Sequence, residues 1–587
     1  MKKEANLNQT NTNTYFQAYQ INGKRPLISR HQKKVNNFSN NEFSEICVGD
    51  LEKLGFLNVE ELISYLRSRE PRYNDWTKSS LQSLELALSR VAEKNPQQYA
   101  QAAVQFQKLH PRYLLNLLRG LHQGMNNQQR QTSAVKEFAW LEVLNLCQNL
   151  TKEYQQILKY QINKDWQELV QEVINLLTIG LTVEELEISP LLCTEVWQII
   201  RPLTEVPDFI TPTNDCGYPG EHDTRELLID AVRIETMHTV MRYALWINRH
   251  LQQTPEGLEK LQLGLAVIPE VLQILDKNLQ IETHSSVGIH SVYGQWFPWL
   301  AILDYQWTAE NVSKIFPSEP KYKKLRLVAW ESYVTSARVN EQAFELLKEE
   351  YHYAIQQLKP EVREKSKYTQ SEQGLCQHLM SLYWHGKLDL EQPEGLLTQF
   401  FALAPDSLRG YALEVIGRSL HNTQEAIAPS ILKRLQLLWE KRIATARNSQ
   451  QPSLYSSELA TFGWWFSSGK FDQSWTVVQL QQVLELVHHV NPDFLVIEKL
   501  AQMAVTIPKS AVECLKLMIE NDHKSWSIFS WHDATQVILI QAMESNNQAA
   551  KQIAKEVINI LDKRGHEEFN SLSSSGFSPE FISWMLE

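Results

Sequence analysis

Glycine is scarce in this 587-residue chain: 21 residues, about half the ordinary share of ~7%. Few glycines leave few cheap left-handed turns. That disfavours β-sandwiches and glycine-built phosphate loops, and it favours continuous helix. Cysteine is sparse too. Cys47, Cys147, Cys193, Cys216, Cys376 and Cys514 form no C-x-x-C pair, so the pattern encodes neither a zinc ribbon nor a disulfide framework. Reduced thiols used as small apolar fillers, in a cytoplasmic protein, are the expectation. A positive excess is also missing: 57 Lys and Arg against 68 Asp and Glu leave a formal charge of −11. That balance repels polyanions, so nucleic acid and anionic membrane surfaces are not expected partners. No apolar run nears the ~20 residues of a membrane span, and Met1 to Gln20 is polar rather than a secretory leader. No H-E-x-x-H helix and no G-x-S-x-G elbow occurs. No cofactor is expected.

What the chain does contain is proline at the start of apolar-periodic segments. The sites are Asn95-Pro96, His110-Pro111, Ile268-Pro269, Ala404-Pro405, Ala428-Pro429, Asn491-Pro492 and Ile507-Pro508. Proline suits the first turn of a helix, where its missing N–H has no partner to lose. Behind these sites the apolar residues step by three and four. Leu169, Val170, Val173 and Leu176 share one face, and so do Val512, Leu515 and Met518. The run Val537-Ile538-Leu539-Ile540 looks strand-like but sits in helical surroundings and reads as buried helix. Hydrophobic residues make up 43% of the chain, enough for a large core. No strict repeat length emerges. The predicted fold is all-α: an irregular α-solenoid of stacked helical hairpins, HEAT-like or tetratricopeptide-like.

The expected organisation has four parts. Residues 1–42 form a disordered polar arm, with too few apolar side chains to offset ordering entropy. Residues 43–210 form an N-terminal helical segment. Residues 211–222, with Pro212, Gly217, Pro219 and Gly220, form a loop or boundary. Residues 223–587 form the repeat array. A second interruption is expected over Thr283 to Pro298.

The stretch Val287-Gly288-Ile289-His290-Ser291-Val292-Tyr293-Gly294-Gln295-Trp296-Phe297-Pro298-Trp299-Leu300, followed by Leu303-Asp304, Trp307 and Lys314-Ile315-Phe316-Pro317, is one of four aromatic-rich segments. The others are Ala329-Trp330-Glu331-Ser332-Tyr333, Leu382-Tyr383-Trp384-His385-Gly386 and Phe462-Gly463-Trp464-Trp465-Phe466. Together they resemble the C-terminal helical region of large bacterial STAND-type NTP-binding proteins, some of which act in defence against phages. The resemblance covers roughly Asp223 to the C-terminal end. It implies a sensor or scaffold array whose chemistry resides in separate modules, and it carries over no catalytic residue. The chain departs from that family in lacking a P-loop. The nearest candidate, Gly463 to Gly469-Lys470, has one residue too many between its glycines, and Phe471 stands where Ser or Thr belongs.

Three classes of function are weighed, the last being nucleic-acid binding, which would need the Lys321-Tyr322-Lys323-Lys324-Leu325-Arg326 cluster to align with other Lys and Arg along one face. The first is a non-enzymatic, protein-binding scaffold. Trp464-Trp465-Phe466 cannot all point inward, because consecutive helical residues diverge by roughly 100°. Trp526, Phe529 and Trp531 raise a similar problem. Trp465, Trp526 and Trp531, with Lys470 and the basic pair Lys323 and Lys324, are therefore the candidate partner contacts. The second is a metal-dependent hydrolase built on His222, Asp223, His284 and His290, since imidazole and carboxylate suit a divalent ion. In the competing reading Asp223 only caps a helix and the histidines order a loop. His488-His489 is expected on an apolar helix, with one ring packed and the other in water. A non-enzymatic protein partner is the preferred expectation.

Overall fold

A computed structural model of the chain describes residues 54–69, 78–130, 138–158, 164–205, 224–284, 286–358, 368–521 and 527–573. All regular structure among the described residues is helical, so the fold is all-α. The polar arm and the 211–222 boundary lie outside the described residues. The chain divides into two compact units. One runs to Trp296 and takes back Leu303–Trp307; the other holds Phe297–Ile302 and Thr308 onward.

The proline reading holds at every site. Pro96, Pro269 and Pro429 occupy the first helical turn. Pro111 and Pro508 open helices of their own, while Pro405 and Pro492 stand one residue earlier, at the N-cap. Val537 to Ile540 is buried helix, as its surroundings imply.

The helices that carry the packing are numbered here. In the first unit they are α1 (Lys78–Lys94), α2 (Pro111–Arg130), α3 (Trp140–Ile157), α4 (Lys164–Thr182), α5 (Cys193–Thr204) and α6 (Thr224–Leu251). Each of these packs on the next but one: α1 on α2, whose intervening helix is short, then α2 on α4, α4 on α6, and α3 on α5. The apolar stripe of α4 makes this possible, with Leu169, Val170 and Val173 wholly buried. Helix α7 (Val287–Leu303) belongs partly to each unit.

The second unit has α8 (Lys323–Ser336), α9 (Lys348–Gln356), α10 (Gln370–Trp384), α11 (Leu396–Leu403), α12 (Asp406–Asn422), α13 (Pro429–Arg447), α14 (Phe462–Ser467), α15 (Gln473–Val487), α16 (Asp493–Ala504), α17 (Pro508–Asn521), α18 (Ser527–Glu544) and α19 (Gln548–Lys563). One row runs α8, α10, α12, α14, α16, α18. A second row joins α9 to α11, and α13 through α15 and α17 to α19.

The expected interruption over Thr283 to Pro298 is corrected: α7 runs through it, with Pro298 inside. An interior proline costs a helix about 3 kcal/mol. Against that, Ile289, Val292, Tyr293, Trp296, Phe297 and Leu300 are all buried. At about 1.5–3 kcal/mol for each large apolar side chain, burial wins. The histidine pair is corrected as well. Helix α15 stops at Val487, His488 takes a left-handed φ of 67°, and both His488 and His489 are exposed.

Candidate partner-binding face

Helix α12 buries Leu408, Ala412, Leu413, Ile416, Gly417 and Leu420. The same periodicity leaves Tyr411, Glu414, Val415 and Arg418 facing outward, half-buried or exposed. Neighbouring helices extend that outward face. From α10, Gln377 donates its Nε2 to the Tyr411 hydroxyl at 2.9 Å. Tyr368, just before α10, sets its ring 5.4 Å from that of Tyr411. From α14, Trp464 is half-buried. The Arg418 guanidinium lies 5.1 Å above its ring, and His421 meets it edge-on at 5.8 Å. Arg418 also pairs with Glu414 one turn earlier.

Gly417 lets this face form. A Cβ there would come within 2.5 Å of the Trp464 Cβ and 2.9 Å of the Trp465 ring. Gly417→Ala is therefore expected to push α14 off α12 and destabilise the second unit by about 1–3 kcal/mol, as overpacked sites do. Urea unfolding followed by circular dichroism reads this directly.

The tryptophan choice made from sequence needs correction. Trp465 is wholly buried: it donates Nε1–H to the Leu413 carbonyl at 2.9 Å and packs with Trp439, Phe462 and Phe471. Trp464 is the ring that reaches the surface. The signal was in the sequence, since Phe462, Trp465 and Phe466 share a face by their three- and four-residue spacing, which leaves Trp464 outside. Trp531 is also buried, so it too is no partner contact. Trp526 lies outside the described residues. Lys470 is half-buried and reaches the Glu425 carbonyl at 3.4 Å. Lys323 and Lys324 are exposed at the start of α8. Beside them α8, α9 and α10 line a cavity of about 120 Å³. Its Arg326 is spent on Glu350, at 2.8 and 2.9 Å, and lies 3.7 Å above the Tyr353 ring.

The hydrolase residues are not seen to converge. His222 and Asp223 lie outside the described residues, and His284 ends a one-turn helix. His290 is buried within α7, its Nδ1 3.2 Å from the Ser286 carbonyl. Among the described residues no group of three His, Cys, Asp or Glu could hold a metal. The Gly463 segment is no phosphate loop. It is helix, and a Cβ on Gly463 would sit 2.5 Å from the Asn491 carbonyl oxygen.

The perturbed groups have structural partners. Burial pushes the Cys147 thiol up to about 12 and raises Cys376 and Cys514 as well, so all three stay protonated. In the second unit a buried chain joins Tyr333, Tyr351 and His378. The Tyr hydroxyls are 3.0 Å apart, Tyr351 is 2.7 Å from His378 Nδ1, and Nε2 is 2.9 Å from the Ala337 carbonyl. A carbonyl only accepts, so Nε2 carries the proton. Nδ1 then accepts from Tyr351, and Tyr351 accepts from Tyr333. Burial lowers His378 to about 4 and holds Tyr351 far above its usual range. The chain is thus fixed in one protonation state at neutral pH and serves packing.

Comparison with known protein families and with curated proteins finds no match to this chain. Among the described residues no helix is long and apolar enough to cross a membrane.

Proposed function

We propose that this protein is a non-enzymatic helical-repeat scaffold or sensor that holds another protein along a lateral helix face. The next-but-one packing supports reading each unit as an irregular α-solenoid, since a stack whose hairpins contact mainly their neighbours leaves its flanks uncovered. The observation that carries the reading is the outward cluster of Tyr411, Arg418 and Trp464 on consecutive helices of one row. Trp, Tyr and Arg are the residues that dominate binding energy at interfaces. The resemblance to STAND-type arrays adds a setting: bacterial signalling or phage defence, in the cytoplasm, with the chemistry on a separate module.

A photo-crosslinking residue placed at Val415, on this face, tests the reading in extract of the source organism. A discrete protein adduct is expected. It should be depleted about tenfold by Trp464→Ala and absent when the crosslinker replaces Val478, which is exposed on α15. No adduct at Val415, or equal adducts at both positions, would overturn it.

A further inference from the structure

We draw no further inference here: the strongest candidate, the small cavity lined by α8, α9 and α10, has its one guanidinium, Arg326, already bound to Glu350, and nothing in the structure shows what would occupy it.

Discussion

Replacing Glu458 with alanine is expected to cost the second unit about 3–5 kcal/mol, the penalty for leaving buried charge without its counter-charge. Glu458 is completely buried. One carboxylate oxygen takes Arg442 Nε, and the other takes Arg409 Nε and, at 3.2 Å, Arg442 Nη2. The surroundings complete the cluster. Arg409 donates to the Ala404 and Leu454 carbonyls, each at 2.7 Å, and Asp406 accepts the backbone N–H groups of Ser457 and Glu458 at 2.7 and 3.0 Å. Arg442 also lies 4.4 Å above the Phe401 ring. Removal of Glu458 leaves Arg442 without a carboxylate partner and Arg409 with only Asp406, 3.5 Å from its Nη2, in a nearly dry interior. The effect is the loss of compensation, not the net worth of the pairs. Exchanging all three charges together, as Arg409→Met, Arg442→Met and Glu458→Leu, is therefore expected to cost much less than the single change. Urea unfolding followed by circular dichroism measures both. A single variant within about 1 kcal/mol of the parent would show that water or rearrangement reaches the cluster.

The second large effect is a loss of stability in acid. His378 titrates near 4 in the folded chain because burial opposes its charge, and near 6.5 when unfolded. Between those values the unfolded state binds more protons, so stability falls as pH falls. The contribution is fully present above pH 6.5 and is lost progressively toward pH 4, amounting to about 3 kcal/mol for a shift of this size. Protonation would also turn Nδ1 into a second donor facing the Tyr351 hydroxyl. In the first unit His238 behaves alike. Burial and then the Arg242 charge lower it to about 3, and its Nδ1 accepts the Trp296 indole N–H at 2.7 Å. The carboxyls of Glu85, Glu235 and Asp406, raised by burial, oppose the trend, so the clean readout is a difference. His378→Gln retains one donor and one acceptor and has no proton to gain. The drop in urea midpoint between pH 6.5 and 4 is expected to shrink by about 3 kcal/mol of equivalent stability in this variant. Parallel pH profiles for parent and variant would contradict the assignment.

The two clusters differ in how far the chain order reveals them. Nothing local marks Glu458 as special: Arg409 lies 49 residues away and Arg442 lies 16. Read along the chain, each is an ordinary charged residue on an amphipathic helix, expected in water. The Tyr333–Tyr351–His378 chain is hidden for the same reason, since its members come from three separate helices. By contrast, the face on α12 was half legible. Helical phase alone sorts Trp464 from its neighbours, but only packing against Gly417 shows where the ring goes.

Local chemistry determined the class of structure and the places where helices begin. Proline's fixed φ and missing N–H act within one turn, as do the three- and four-residue apolar steps, so both can be read without knowing any neighbour. The tertiary structure decided whether α7 would break at Pro298, where the outward Trp464 ring comes to rest, and which charges are buried. Those outcomes turn on burial energies of several kcal/mol supplied by residues distant in the chain. These exceed the local preferences, and sequence spacing does not encode them.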